Sequence, residues 1–287
     1  MTQLCLAPDP NPAAPSFAMP AGATDCHMHA FGTAPDYPYV AERDYTPPEA
    51  GVTAARKLYA ALGIERIVVI QPSVYGADNR CQLAFGAVLG LPFRAIIVPD
   101  GDTTDADLDK FHAQGARGIR YILAHPGGLD VAGLERSADA AHERGWHLEF
   151  LLKPHQLLEL APRLARLRCR ISFDHLAFMK AEEGTAQPAF QALLGLLQTG
   201  NSWVKLSGAY RVSGTADRYD AVFPLAREIV ETRPDRVVWG SDWPHVGQFA
   251  AMPHTTPLLD LLRDWVPDDV DRNRFLVENP AELYGFG

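Results

Sequence analysis

The sequence lacks the features that mark several classes of protein. Its 287 residues include only four cysteines, at positions 5, 26, 81 and 169, and no two of them form a CxxC pair. This usage argues against a disulfide framework and is typical of reduced thiols in the cytoplasm. The N-terminus has no basic region followed by an apolar core, so we predict no secretory signal. No uncharged apolar run approaches the roughly 20 residues of a membrane helix. We therefore expect a cytoplasmic protein that does not cross a membrane.

A net positive charge and phosphate-binding loops are also missing. The net charge at pH 7 is -9, which argues against a general affinity for nucleic acid or anionic membranes. There is no glycine-rich phosphate loop and no internal repeat. The absence of a G-x-S-x-G elbow disfavours a covalent serine esterase. A small anionic substrate stays compatible with this composition, because a few arginines can reverse the field inside a cleft.

The chain does contain a regular alternation of short β-rich runs and longer amphipathic stretches. Residues 1–20 are rich in proline and alanine and are predicted to form an extended arm, and residues 21–287 a single domain. Eight apolar runs predict strands, at residues 23–29, 66–71, 93–98, 117–122, 147–152, 170–175, 203–208 and 236–242. Eight βα units favour an α/β fold of the (β/α)8 TIM-barrel type, with an open doubly wound sheet as the alternative.

Polar residues stand at the ends of several predicted strands, where barrel enzymes place their catalytic groups. His27 and His29 point to the same face of the first strand, because side chains alternate along a strand. Alone, this pair could equally be packed or solvated histidines. Together with His175 after the sixth strand and Asp242 after the eighth, it predicts a catalytic site. By contrast, we expect His147, at a strand start, to be solvated.

These motifs resemble the amidohydrolase superfamily. The matching stretches are "TDCHMHAFG", "YPYVAERDYTPPEA", "QPSVYGADN", "GARGIRY", "FDH", "VKLSG", "WGSDWPH" and "LVENPAELYGF", which extend from about residue 22 to residue 286. Within the superfamily the chain resembles the lactonase branch that works without metal, which includes pyrone dicarboxylate lactonases, sulfomuconolactonases and galactarolactone isomerases. The resemblance implies a distorted (β/α)8 barrel that acts on small anionic lactones.

The resemblance also implies which residues bind the substrate. Four residues occupy positions that hold substrate in the pyrone lactonases, namely Tyr45, Ser73, Arg120 and Arg211. The pyrone lactonases have a further arginine six residues after the one that matches Arg120, and here that position is Pro126. This departure argues against the pyrone dicarboxylate itself, because one carboxylate would lose a bidentate partner. His245 lies close enough to Asp242 in sequence to join the substrate-binding site.

For lactone hydrolysis we assign Asp242 as the general base that activates water. His27, His29 and His175 would donate hydrogen bonds to the carbonyl oxygen. A binuclear metal site is disfavoured, because the fourth strand presents Arg120 and Tyr121 rather than a bridging residue. A single zinc ion on His27, His29, His175 and Asp242 is chemically feasible, but the resemblance favours a site with no cofactor.

Three alternatives stay open at this stage. The first is a lactone isomerase, which the loop "HPGGLD" resembles. The second is a zinc-dependent hydrolase or decarboxylase of the same superfamily, and the third is a barrel that binds ligands without chemistry. The sequence also leaves open whether the protein is a homo-oligomer.

Overall fold

Eight parallel strands form the centre of the protein. The computed structural model describes residues 2–33, 35–126, 128–213 and 219–287. The strands are hydrogen-bonded to one another in chain order, and all eight predicted strands are present. They are β1 (Thr24–Met28), β2 (Arg66–Ile70), β3 (Phe93–Ile97), β4 (Ala116–Ile122), β5 (His147–Leu151), β6 (Arg170–Phe173), β7 (Ser202–Leu206) and β8 (Val237–Trp239). Most of them end one or more residues earlier than the sequence predicts, because the last predicted residues leave the ladder to build the loops above it.

The ring closes between β1 and the segment that follows β8. The Asp242 amide donates to the His27 carbonyl oxygen at 2.7 Å, and the His29 amide donates to the Trp243 carbonyl oxygen at 2.8 Å. The two segments approach so closely at Gly240 that an added Cβ would lie 2.5 Å from the His27 Cβ. Only glycine fits this position. The predicted TIM barrel is therefore confirmed, and the alternative of an open sheet is wrong.

Helices surround the strands and cover their outer faces. Their bounds are α1 (Val52–Leu62), α2 (Arg80–Leu89), α3 (Asp105–Ala113), α4 (Leu134–Glu143), α5 (Pro154–Leu164), α6 (Pro188–Gln198), α7 (Ala209–Val212), α8 (Phe223–Thr232), α9 (Thr255–Trp265), α10 (Asp269–Asn273) and α11 (Asn279–Tyr284). Local signals explain several ends: α3 starts with a Thr104–Asp107 capping box, and α1 stops at Gly63 with a φ of 71°. None of the helices in the described ranges is long and apolar enough to span a bilayer.

The N-terminal segment is hydrogen-bonded to two loops of the barrel. Within residues 2–20, Leu4 forms an isolated bridge with Thr46, and the Leu6 amide donates to the Gln248 carbonyl.

Our expectation that His147 is solvated is wrong, because this side chain is fully buried on β5. Its ring packs edge-on against Tyr284 of α11 at 5.3 Å, so the C-terminal helix shields it from water.

Candidate active site

A narrow cavity opens where the C-terminal ends of the strands meet. Its volume is about 60 Å³, and seven of the nine predicted site residues line it: His29, Tyr45, Ser73, Arg120, His175, Arg211 and Asp242. His27 and His245 are buried nearby but are not lining residues. A larger cavity of about 750 Å³ lies beside α3 and α4 and contains none of the nine. The chemistry of the lining residues, and not size, therefore selects the smaller cavity.

Asp242 lies at the centre of this cluster and is fully buried. The Asp242 backbone has a φ of 62°, in the left-handed region that aspartate tolerates better than most residues. The Oδ2 atom accepts from the Tyr210 hydroxyl at 2.6 Å and from the Arg211 Nε at 2.5 Å. The Oδ1 atom has no hydrogen-bond partner among the described residues. One oxygen is thus held by two donors, while the other is buried and has none.

Three histidine nitrogens surround the Asp242 carboxylate. The Nε2 atoms of His29 and His27 lie 3.6 and 3.8 Å from Oδ1, and the Nε2 of His175 lies 3.8 Å from Oδ2. The left-handed turn that His175 begins, with φ values of 50–52° over four residues, aims its ring inward. The sequence prediction that these four side chains share one site therefore agrees with their positions, while their catalytic roles stay a prediction.

In His29 and His175, the hydrogen-bond partner of Nδ1 determines whether Nε2 can donate or accept a hydrogen bond. The His29 Nδ1 lies 2.9 Å from the Ile70 carbonyl oxygen, which can only accept. A neutral His29 therefore carries its hydrogen on Nδ1 and presents a lone pair at Nε2. The His175 Nδ1 lies 2.8 Å from the Ser207 hydroxyl, which can donate or accept. Gly208 makes room for this ring, because a Cβ there would lie 2.9 Å from the His175 Nδ1.

Behind Asp242 runs a chain of hydrogen bonds that includes His245. The Tyr210 hydroxyl gives its hydrogen to Asp242 and lies 3.3 Å from the His245 Nδ1. The His245 Nε2 lies 2.9 Å from the Thr255 hydroxyl. The structure thus places His245 beside Tyr210, where it can orient the hydroxyl that donates to Asp242.

Beneath the cavity lies a group of four buried charges, Arg120, Glu149, Asp174 and Lys205, which we call the charged layer. The side chains of Glu149, Asp174 and Lys205 are fully buried, and that of Arg120 is 2% exposed. Arg120 donates to Asp174 Oδ2 at 2.8 Å and to the Gln71 carbonyl at 2.7 Å. Lys205 donates to Glu149 Oε2 at 2.6 Å. Two cations balance two anions, which is the condition for burying charge at acceptable cost.

These contacts shift the pKa values of the site in definite directions. Burial alone would raise the pKa of Asp242, but Arg211 and then His175 outweigh it and hold that pKa well below its usual range. Asp174 behaves likewise, because Lys205 opposes burial and its pKa is also lowered. Burial lowers the pKa of His175 to about 4 and that of His27 well below its ordinary value. At neutral pH, Asp242 is therefore ionised, while His27 and His175 are neutral.

The predicted substrate-binding residues surround the cavity with unequal freedom. Arg120 lines it, but Asp174 and Gln71 already occupy its two terminal nitrogens. Arg211 is 14% exposed and also donates to the Val246 carbonyl. Tyr45 and Ser73 also line the cavity. Arg211 is therefore better placed than Arg120 to receive an anion.

Among the residues that the structure describes, two sets have the types and spacing that could hold a metal ion. Ligand atoms of His27, His175 and Asp242 lie within 4.8 Å of one another, and so do those of His27, Glu149 and Asp174. The second set is already neutralised by the two cations of the charged layer. In the first set, His27 receives a hydrogen bond on Nδ1 from Lys205 at 3.2 Å. That contact puts the ring hydrogen on Nε2, where a metal would need a lone pair, so this set does not fit a cation as it is arranged.

Sequence reasoning missed several residues of this site. Tyr210 gave no signal, because it belongs to a short helix and not to a strand end. Glu149 and Lys205 lie within strands, and only the barrel interior turns their side chains towards each other. His125 lines the cavity and pairs with Asp44 at 2.8 Å. The inward alternation along β5 and β7 was the one sequence feature that could have identified the two strand residues.

Comparisons with known proteins agree with this geometry. The amidohydrolase family model matches residues 24–286. A 4-sulfomuconolactone hydrolase from Hydrogenophaga intermedia is 37% identical, covering 98% of this chain and 94% of its own length. A D-galactarolactone isomerase from Agrobacterium fabrum is 35% identical, covering 94% of each chain. A 2-pyrone-4,6-dicarboxylate hydrolase from Comamonas testosteroni is 32% identical, covering 96% of this chain and 93% of its own. An apo crystal structure from Agrobacterium tumefaciens has a TM-score of 0.88 at 35% identity, covering 97% of this chain and 99% of its own.

Proposed function

The chain belongs to the amidohydrolase family, and we propose that it is a hydrolase that opens a lactone carrying a carboxylate or sulfonate group. One observation carries the proposal: the ionised Asp242, whose Oδ1 has no hydrogen-bond partner among the described residues, lines a cavity together with two arginines. Asp242 provides a base for water and the arginines a positive field for an anion. The relatives named as hydrolases of sulfonated and dicarboxylated lactones support the same substrate class.

Asp242 accepts a proton from the attacking water in this proposal. The water oxygen bonds to the lactone carbonyl carbon, and the carbonyl oxygen becomes negatively charged. The bond from that carbon to the ring oxygen then breaks, and the proton returns from Asp242 to the ring oxygen. One water is consumed, and the product is an open chain with a new hydroxyl and a new carboxylic acid, which releases its proton to solvent as it becomes a carboxylate. The lowered pKa of Asp242 keeps it in the ionised form that this role requires.

The histidines divide their roles according to their hydrogen bonds. His27 presents an Nε2 hydrogen to the carbonyl oxygen, because Lys205 donates to its Nδ1. Neutral His29 presents a lone pair at Nε2, so it orients the attacking water and does not act as a donor. This differs from the sequence hypothesis in which all three rings donate. His175 can take either role, since its Ser207 partner can donate or accept.

The substrate anion binds to Arg211 in this scheme, with Tyr45 and Ser73 adding hydrogen bonds. Arg120 contributes mainly charge, because its terminal nitrogens are already engaged. The reaction requires no metal in our proposal, since a His27 that carries its hydrogen on Nε2 has no lone pair there for a cation. Its partners are then a small anionic lactone and water.

Isomerisation is the second candidate, because one relative is named D-galactarolactone isomerase. In that reaction a hydroxyl of the substrate, and not water, would attack the carbonyl. The site geometry accommodates both nucleophiles, since the base and the carbonyl donors are the same.

A substrate screen tests both functions together. Lactones with a carboxylate or sulfonate, and matched lactones without the anion, are incubated with the protein in ¹⁸O-labelled water, and the products are identified by NMR and mass spectrometry. We expect acid release, one ¹⁸O in the new carboxylate, and activity that a chelator does not remove. Rearranged lactone without ¹⁸O would establish isomerisation. Metal content is measured on the same sample, and stoichiometric zinc with chelator-sensitive activity would overturn the proposal.

A further inference from the structure

Lys205 occupies an unusual position in the middle of β7. Its side chain is fully buried, and its Nζ lies 2.6 Å from Glu149 Oε2, 3.2 Å from Asp174 Oδ1 and 3.2 Å from His27 Nδ1. An ammonium group has three hydrogens to donate and no acceptor. Two of these neighbours, Glu149 and His27, accept hydrogen bonds from Lys205, and Asp174 forms an ion pair with it.

This arrangement decides which nitrogen of His27 carries the hydrogen. Since Nδ1 accepts from Lys205, a neutral ring must carry its hydrogen on Nε2. That Nε2 is buried, has no hydrogen-bond partner among the described residues, and lies 3.8 Å from Asp242 Oδ1. It is the inward-facing donor that a developing oxyanion needs.

We propose that Lys205 is a positioning residue that holds His27 in its Nε2–H tautomer, so that His27 donates to the substrate carbonyl and does not bind a divalent cation. The catalytic half rests on the proposed lactone hydrolysis. The half that concerns the tautomer and metal exclusion does not need a substrate.

An acceptor that would favour the opposite tautomer lies close to His27 Nδ1. Asp174 Oδ1 lies 3.2 Å from His27 Nδ1, but these two atoms are not aligned for a hydrogen bond. Histidines that bind metals usually donate their outer N–H to a carboxylate or a carbonyl. Without Lys205, Asp174 could become that acceptor, and the Nε2 lone pair would then face His175 and Asp242. The lysine thus separates a donor site from a metal site that uses the same side chains.

The first test is a measurement on the unmodified protein. Nitrogen-15 NMR with labelled histidine distinguishes the two tautomers by the shifts of the two ring nitrogens, and His27→Gln assigns the signal. We expect His27 to be neutral with its hydrogen on Nε2 at neutral pH. A hydrogen on Nδ1 would overturn the inference, whether or not any lactone is hydrolysed.

The second test is a charge-balanced double variant, Lys205→Met with Glu149→Gln. It removes one cation and one anion together, so Arg120 and Asp174 still compensate each other, which limits the loss of stability. We expect His27 to change to the Nδ1–H tautomer. The affinity for Zn²⁺, measured by competition with a fluorescent chelator, should rise by about 10-fold or more. Glu149→Gln alone is the matched control, because Lys205 keeps Asp174 as its counterion. The control should keep the original tautomer and metal affinity.

Kinetics separate this inference from the proposed function. With an active lactone, the double variant should lose about 10²–10³ in kcat, as after the loss of one oxyanion donor, while KM changes little. An equal loss in Glu149→Gln would show that Lys205 acts only through general stability, which contradicts the inference. If the unmodified protein has the expected tautomer but hydrolyses no lactone, the proposed function fails and the assignment of the tautomer stands.

Discussion

The cavity wall and the charged layer beneath it each contain a fully buried aspartate beside an arginine, yet the two carboxylates differ. Both oxygens of Asp174 lie within 3.2 Å of a cation, Oδ1 near Lys205 and Oδ2 near Arg120. Within the described ranges, Asp242 contacts a cation through Oδ2 alone, and its Oδ1 faces histidine nitrogens. The pKa of each carboxyl is lowered well below its usual range. A low pKa therefore does not distinguish the two carboxylates, whereas the number of their oxygens that contact a cation does.

The largest expected effect comes from removing the base. Asp242→Asn should lower kcat by about 10²–10⁴ while the protein stays folded, because the amide cannot take a proton from water. Arg211 is partly exposed, so its charge can be hydrated when its partner is lost. Turnover on an active lactone and circular dichroism check the two parts. Near-normal turnover in the folded variant would transfer the role of base to a histidine.

The corresponding substitution in the charged layer, Asp174→Asn, should lower the stability of the fold. Asp174→Asn leaves Arg120 and Lys205 with only Glu149 as a counterion, and breaking a buried pair costs about 3–5 kcal/mol. Denaturant unfolding of the two variants compares them directly, and Asp174→Asn should be the less stable. If Asp242→Asn proved less stable, the distinction between a catalytic and a structural carboxylate would be wrong.

Arg211 has two roles in the proposed function. It donates to Asp242, and it binds the substrate anion. Arg211→Met should raise KM for anionic lactones by an amount that corresponds to about 1.5–3 kcal/mol. It should also shift the pH profile. Burial raises the pKa of Asp242, and Arg211 is the largest opposing influence. Its loss therefore raises that pKa, and activity should fall at a higher pH on the acid side.

The control for this shift is Arg211→Lys, which keeps the positive charge but not the planar fork. Its acid limb in kcat/KM should stay nearer to that of the unmodified protein. Equal acid limbs in the Met variant and the unmodified protein would mean that the charge of Arg211 does not set the pKa of Asp242.

The smallest expected effect concerns the hydrogen-bond chain behind the base. Tyr210→Phe removes one donor to Asp242 Oδ2, while Arg211 remains. We expect a loss of about 1 kcal/mol, or roughly fivefold in kcat. Thr255→Val changes the far end of the same chain and should have a smaller effect. A larger effect in Thr255→Val would show that His245, and not Tyr210, is the important contact.

The sequence alone determined the architecture and which residues form the candidate catalytic cluster. Eight short apolar runs separated by amphipathic stretches can be buried on both faces only in a parallel sheet covered by helices. The polar residues at the strand ends must then meet at one face of the barrel. For that reason the strand pattern by itself brings His27, His29, His175 and Asp242 into one cluster. The family resemblance added the substrate-binding residues around them.

Only the tertiary structure decided which of these side chains already have hydrogen-bond partners and which do not. Hydrogen-bond partners such as the Ile70 carbonyl, Ser207 and Tyr210 come from distant parts of the chain, and no periodicity predicts their direction. Burial of Lys205, Glu149 and His147 likewise depends on closing the ring and on α11 covering it. The tautomers of His27 and His29 follow from these contacts, because a ring nitrogen beside a donor must accept and one beside a carbonyl must donate. Residue types defined the site, and their spatial neighbours determined the chemistry that each can perform.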